Sequence, residues 1–574
     1  MINITRLLFT LLLLLLFSGC AVKKPLSDFL FVTPDKQDTF ESLAQVHLGS
    51  ASMAWKIHES NGSSAITPGE ELIIPIKPIN PGGLTSEGYQ LIPVLSYHNF
   101  SKGKSKNLLT VSAKNFEDQL SYLKKEKFHA LTIDQFQEFL EFGQAPQNSI
   151  LLTIDDGWIS TYKVAYPMLK KFAFNATLFI PTNYVNENNP KIISWDQARE
   201  MVNDKSINIQ CHTKNHRDLN LIKDGESLQS YITAVKDQVV TSKKIINKEI
   251  GKSVTSIAYP YGNTNPVAIE ILKQNQYKTA FTVKRAKNAF FTSNFLLNRA
   301  MIYGKHDMKQ FKKNISVFKK LSLSEPEPID TIKDIRKIDY MNASGYEEKK
   351  QWRTALLAWK MQRDWLLTHK TGGGIKVPFT GSEDVLKKAE KKVVELDLQV
   401  KKIAQSHYSE ATRSRSKKTV RKQLLTALLY NSKHQDALKM LKNMPFKGQL
   451  THYKVRKNET SKTISNTLYN KKSNDILIPL FNSNIKNDSD LEPGIELLLP
   501  TLSAMNTIKT AEATRCQIKL TKPSSQVAND LYNLANVLFN QDKISEAIDK
   551  LKKAICLNPN YDIAKEMLEM LQGL

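Results

Sequence analysis

From Leu91 to about Lys320, short apolar runs alternate with segments whose apolar residues recur every three or four positions. "LIPVLSYH" is followed by "NFEDQLSYLKKEKF", then "SILLTIDD", "YKVAYPMLKKF" and "NATLFIP". An unbroken apolar run is the mark of a strand buried on both faces, and the longer period marks an amphipathic helix. Their alternation predicts a parallel α/β sheet or barrel, with functional residues at the carboxyl ends of the strands. Beyond Glu325 the pattern is helical, and Trp352, Trp359 and Trp365 suggest a helical pair over 345–366.

Two stretches repeat one pattern, "DTFESLAQVHLGSASMAWKIHESNGSSAITPGEELIIP" (38–75) and "ETSKTISNTLYNKKSNDILIPLFNSNIKNDSDLEPGIELLLP" (459–500). In each, an acidic-Thr pair opens the unit, an asparagine follows at the same interval (Thr39 to Asn61, Thr460 to Asn482), and Pro-Gly precedes an apolar strand ending in proline. Such an internal repeat predicts two copies of one small βααβ unit, with Phe31-Val32 and Tyr453-Lys454-Val455 in the first strands. Both units resemble LysM modules, which implies binding of N-acetylglucosamine-containing glycans. His47 and His58 in the first are ordinary surface positions. At the other end, Leu531, Leu534, Ala535, Leu538, Ala547, Leu551, Ala554 and Pro559 follow the spacing of a tetratricopeptide repeat, and 424–444 carries a weaker match. These helices read as a docking surface for a protein partner or as a packing scaffold.

The expected organisation is a signal peptide over 1–20, a LysM module over 29–76, a Pro- and Gly-bearing linker over 77–90, an α/β domain over 91–320, a helical, tetratricopeptide-like region over 325–448, a second LysM module over 451–501 and a tetratricopeptide repeat over 524–574. The start, "MINITRLLFTLLLLLLFSGC", has the basic, apolar and small-residue order of an export signal. Its end, Leu16-Phe17-Ser18-Gly19-Cys20, resembles a bacterial lipobox, which implies lipidation of Cys20. With Ala21 following, the expected place is the cell envelope, on the outer membrane facing the periplasm. Cys211, Cys516 and Cys556 are the other cysteines, an odd number from which no disulfide framework is read. The formal charge of +25 suits an anionic partner, but lysines are scattered through every segment and export excludes nucleic acid.

The chemistry concentrates where Ile150-Leu151-Leu152 runs into Asp155, Asp156 and Gly157. Two adjacent carboxylates at a buried strand end are unfavourable unless a cation offsets their desolvation and repulsion. Gly157 permits the turn that brings both to one cavity. Further ligands are available in "NIQCHTKNHRDL", where His212 and His216 stand four apart, the spacing that puts two imidazoles on one face of a helical turn. Two histidines and an aspartate form a set suited to a divalent transition metal, zinc first, with cobalt, nickel or iron as alternatives. Cys211 beside His212 is expected to be a buried, inert thiol.

Residues 91 to about 320 resemble the polysaccharide deacetylase family, carbohydrate esterase family four. "TIDDG" matches its first motif, "HTKNH" its second and "AYPYG" its third. The resemblance implies a distorted (β/α)7 barrel and metal-dependent removal of acetyl groups from N-acetylglucosamine units of a β-linked polysaccharide. It makes Asp155 the general base, Asp156, His212 and His216 the metal ligands, and Tyr259, Pro260, Tyr261 and Gly262 the groove, with the Tyr261 amide facing the oxyanion. "ISWDQAREM" around Trp195 and "VLSYHNF" around His98 resemble segments of the subgroup acting on poly-N-acetylglucosamine exopolysaccharide. They imply substrate contact for Trp195 and a general-acid role for His98, with His306 as the alternative. Ala258 occupies the place of the family arginine that orients the base, which puts that orientation in doubt. Trp158 reads as a groove wall or a packed aromatic, and Arg299 as a substrate contact or a structural ion pair. Peptidoglycan and exopolysaccharide remain alternative substrates, and a weakly active or inactive glycan-binding adaptor is the competing function.

Overall fold

The computed structural model describes residues 27–323, 334–371, 382–444, 449–506, 524–540, 544–558 and 561–568, apart from 64, 104, 106, 186–188, 224, 562 and 566. The expected export signal and Cys20 lie outside the described residues. Two compact units are formed by the described residues of Met1–Pro81, Thr85–Glu87 and Ser322–His434, and by those of Gly82–Leu84, Gly88–Leu321 and Gln435–Leu574. Among the described residues no helix is long and apolar enough to cross a membrane.

In the larger unit seven parallel strands run in the order β6-β5-β4-β3-β2-β1-β7. They are β1 (Val94–Tyr97), β2 (Ser149–Asp155), β3 (Ala176–Ile180), β4 (Ile207–Cys211), β5 (Ser256–Ala258), β6 (Thr279–Phe281) and β7 (Ala300–Met301). A parallel bridge from Phe281 to Leu297, on the segment entering β7, joins the two ends of this path. All seven residues of β2 are buried, as its apolar run predicts. Helices between the strands cover the sheet and start on side-chain caps such as Ser112, Ser194, Ser227 and Asn265, which accept hydrogen bonds from first-turn amides. Part of the expected 77–90 linker belongs to this unit, because Gly88–Gln90 pairs antiparallel with Phe318–Lys320.

The segment over 450–500 has the order strand, helix, helix, strand, with Leu450–Lys454 antiparallel to Glu496–Pro500. Its Tyr453, Ile464, Leu477 and Leu497 share one apolar cluster with the barrel, and Gln274 Nε2 donates to Leu480 O at 2.6 Å. In the smaller unit, Phe29–Val32 pairs antiparallel with Leu72–Pro75 around helices Phe40–Leu48 and Ala54–Asn61. Here the backbone amides of Asp28 and Phe29 donate to the buried Asp364 carboxylate, at 2.7 and 2.9 Å, on helix Trp352–Thr371. The expected single helical region over 325–448 is divided, since helices Ser382–Arg413 and Lys417–Tyr430 fall in the smaller unit and Gln435–Asn443 in the larger. A helical period tells which face is apolar but not which body that face meets.

Candidate active site

Asp155 is the last residue of β2 and is almost wholly buried. Asp156 follows with φ 76° and Gly157 with φ 73°, so the chain reverses through two left-handed residues and the second carboxylate swings toward the same mouth as the first. A Cβ on Gly157 would meet Ile180 Cγ2 at 3.2 Å in addition to the strained φ, which explains the glycine. Asp156 N donates to Phe179 O at 3.0 Å, and Trp158 Nε1 donates to Asp156 Oδ2 at 3.1 Å. Trp158 therefore orients one carboxylate oxygen and leaves the other to face the histidines.

His212 stands one residue beyond β4, its amide donating to Ile180 O at 3.0 Å. His212 and His216 are joined by a tight turn with Thr213 at φ 68° and His216 at φ 59°, which replaces the expected helical turn. Their ring centroids lie 4.7 Å apart, and the Nε2 atom of each is 3.6 Å from Asp156 Oδ1. The three candidate ligand atoms lie within 4.8 Å of one another. His212 Nδ1 pairs with Ala258 O at 2.8 Å, an arrangement that places the proton on Nδ1 and leaves the Nε2 lone pair facing Asp156. Burial, with His212 beside it, brings His216 down to about 4, so its imidazole is neutral and able to ligate near pH 7. This donor set, two imidazoles and one carboxylate, fits a divalent transition metal.

The cation facing Asp155 comes from an unexpected direction. Arg299, immediately before β7, is fully buried, and its guanidinium reaches Asp155 Oδ1 at 2.8 Å through Nη1, with Nε donating to Thr282 O at 3.0 Å. Burial alone would raise the Asp155 pKa, but Arg299, His212 and His98 outweigh it and bring it to about 2. Asp155 is thus a carboxylate throughout the physiological range. Arg299, on the segment entering β7, supplies the cation beside Asp155, and Ala258 contributes its carbonyl to His212.

His98 follows β1, with Nε2 3.9 Å from Asp155 Oδ2. Burial holds its pKa below the ordinary value against the pull of Asp155 and Asp156. His306 is placed elsewhere: its ring packs on Tyr303 and its Nδ1 accepts from Tyr303 N at 3.3 Å. Tyr261 (φ 61°) and Gly262 are half-buried, and the Tyr261 ring lies 4.9 Å from that of His216. Tyr259 and Pro260 are corrections to the expected groove, since both are buried and the Tyr259 hydroxyl donates to Phe295 O at 3.1 Å. They brace the loop from beneath. Trp195 opens helix Trp195–Asn203 and packs partly on the barrel core. Cys211 is a buried free thiol bonded to Ser242 Oγ at 3.3 Å, and it is not among the three candidate ligands. Of the two readings of Arg299, the ion pair is the one formed, with Asp155 as a partner the sequence did not reveal, and the hydrogen bond from Trp158 to Asp156 was not foreseen either.

Residues 142–280 match the family described as polysaccharide deacetylase. A poly-beta-1,6-N-acetyl-D-glucosamine N-deacetylase of Staphylococcus aureus strain MRSA252 is 31% identical over 209 residues, spanning 35% of this chain and 71% of that protein. Its counterpart in Staphylococcus epidermidis is 28% identical over 199 residues, spanning 34% and 68%. Among solved structures, a Streptococcus pyogenes deacetylase in complex with acetate is 26% identical, covers 39% of this chain and 98% of its own, and aligns with a TM-score of 0.36.

Proposed function

Because this chain belongs to the polysaccharide deacetylase family and is a hydrolase of amide bonds, we propose that it removes acetyl groups from poly-β-1,6-N-acetylglucosamine at the bacterial cell envelope. The observation that carries the reading is the pairing of a buried, ionised Asp155 with Arg299, beside a separate Asp156–His212–His216 set at the same strand ends. Amide hydrolysis needs a base for water, a site for the oxyanion and an acid for the departing amine, and these residues divide that work.

Asp156, His212 and His216 would hold the divalent metal, zinc first, which supplies Lewis-acid polarisation of the acetyl carbonyl and makes water more acidic. Asp155 takes the proton from the attacking water, and Arg299 keeps it charged and fixed in orientation. The Tyr261 amide is the protein donor for the oxyanion. His98, with Nε2 3.9 Å from Asp155 Oδ2, passes on to the leaving nitrogen the proton that Asp155 took from water. It is preferred over His306 because it faces Asp155, whereas His306 packs on Tyr303.

The two βααβ units act as LysM modules that hold the enzyme on its glycan, raising the local concentration of acetylated units. Cys20 carries the lipid that anchors the chain to the outer membrane on its periplasmic side. Peptidoglycan is the second substrate to test, since such modules would serve it equally. The inactive-adaptor reading loses its main support once Arg299 fills the role of the absent motif arginine.

The test is acetate release by the chain from residue 21, loaded with zinc, on poly-β-1,6-N-acetylglucosamine and peptidoglycan in parallel. Release from the first, abolished by Asp155→Asn with zinc still bound, is expected. Release from peptidoglycan alone would move the substrate assignment, and silence on both would overturn it.

A further inference from the structure

The helices Ser524–Asn540 and Ile544–Leu557, expected to serve as a partner-docking repeat or scaffold, belong to the same compact unit as the barrel. Their apolar seat is built at the active-site end. Met301 closes β7, Val283 lies just beyond β6, and Leu108 and Tyr303 come from loops after β1 and β7; together they form one cluster with Tyr532 and Tyr561. Carboxyl ends of the same sheet carry His98, Asp155 and His212.

A buried polar link runs from this hairpin into the site. The Asn529 side chain hydrogen-bonds the Asp218 carboxylate. Asp218 also accepts from Asn263 Nδ2 at 2.9 Å and from Asn220 N at 2.8 Å. Asp218 lies two residues past His216, and Asn263 directly follows Tyr261 and Gly262. One buried carboxylate therefore ties the turn bearing the histidines, the Tyr261 loop and the hairpin together. Tyr261 needs such support, because its left-handed backbone is unfavourable for a side chain of that size. Next along the hairpin, Asp530 is exposed and close enough to Tyr261 to act on it electrostatically. The Tyr261 ring stands between this loop and the histidine pair, while Asp156 and His216 remain partly open to solvent.

We propose that the C-terminal hairpin is a wall of the deacetylase groove, in which Asn529 is a positioning residue for the Tyr261 loop and Asp530 receives hydroxyl groups of a glycan unit beyond Tyr261. This rests on reading the Asp155 site as the deacetylase centre. A single acetylated group fills only the end near the histidines, whereas an extended N-acetylglucosamine polymer also touches the hairpin.

The experiment compares the full chain, zinc-loaded, on poly-β-1,6-N-acetylglucosamine and on a small chromogenic acetyl ester. Asp530→Asn keeps the size of the side chain and removes its charge, and should raise KM for the polymer roughly three- to tenfold, the worth of one ordinary hydrogen bond, with both ester parameters unchanged. Asn529→Asp keeps the shape but sets one carboxylate against another, and should lower kcat on both substrates about tenfold, with Asn529→Ser, which keeps a donor, recovering part of it. Amide exchange over 259–264 should quicken in Asn529→Asp whether or not acetate is released. If the unaltered chain releases no acetate, the deacetylase reading fails, while exchange still decides the positioning role. Unchanged polymer kinetics in both variants, or unchanged exchange in Asn529→Asp, would overturn the proposal.

Discussion

At the scale of residues, the site turns on how two neighbouring aspartates avoid sharing one electrostatic fate. Asp155 points at a buried guanidinium and Asp156 at two imidazoles, so each negative charge has its own partner. Arg299 is the residue on which this separation depends, because burial alone would push the Asp155 pKa upward. With Arg299 present, the Asp155 pKa falls from its ordinary 3.8 to about 2, so the pair's stabilisation is complete above about pH 4 and is lost as pH falls toward 2. Arg299→Met removes the cation and leaves a buried carboxylate without its main partner. Breaking such a pair from one side costs about 3–5 kcal/mol near neutral pH. That deficit should shrink on acidification, as Asp155 in the variant takes up its proton early. Urea melts of both proteins at neutral and acidic pH check the stability. The acid limb of kcat/KM should also move to higher pH in the variant, since the base then protonates within the working range. An unmoved limb with full stability would show that Asp155 is held ionised by something other than Arg299.

At the scale of elements, the sequence made the strands and the repeats legible, because both rest on local pattern. The apolar run into Asp155 is the fully buried β2, and the matching intervals Thr39 to Asn61 and Thr460 to Asn482 have a physical meaning. Each threonine caps its helix in a reciprocal box, and each asparagine clamps the closing strand. Asn61 Nδ2 donates to Ile57 O and Ile73 O at 2.8 and 2.9 Å while Oδ1 accepts from Ile73 N at 3.0 Å. Asn482 repeats this with Ile478 O, Leu498 O and Leu498 N, at 2.9, 3.1 and 2.8 Å. Other features were illegible because they depend on distant segments meeting. Arg299 lies 144 residues from Asp155, and only the closing of the sheet through β7 brings them together. Likewise, the spacing of His212 and His216 suits a helical turn, but left-handed residues at Thr213 and His216 bring the rings together by another route. The asparagine clamps give a direct prediction. Asn61→Ala and Asn482→Ala should each destabilise their surroundings by about 1–3 kcal/mol, through backbone groups left without partners. Amide exchange should quicken over 29–75 in the first variant. In the second it should quicken over 450–500 and also over 266–274, where Gln274 binds Leu480.

At the scale of the whole molecule, the charge of the chain and the charge change of the reaction have the same sign. Lys and Arg number 81 against 56 Asp and Glu, for a formal +25. An N-acetylglucosamine polymer is neutral, and each acetyl group removed exposes an amine that is protonated below its pKa. The product of the proposed reaction is thus a polycation formed on a polycationic enzyme. Repulsion of this kind promotes release of the product without any dedicated gate, and salt should weaken it. The expected salt effect is therefore opposite to that of an enzyme holding an oppositely charged ligand. Fully deacetylated polymer added to the acetate-release assay should inhibit weakly at about 10 mM salt, where the Debye length is ~30 Å. It should inhibit more strongly near 1 M, where that length is ~3 Å. The measurement is the half-inhibiting concentration of deacetylated polymer across this range, with neutral acetylated oligomer as a control for general salt effects. If the half-inhibiting concentration rises with salt instead, local carboxylates such as Asp530 dominate the approach of product, and the overall positive field does not govern its departure.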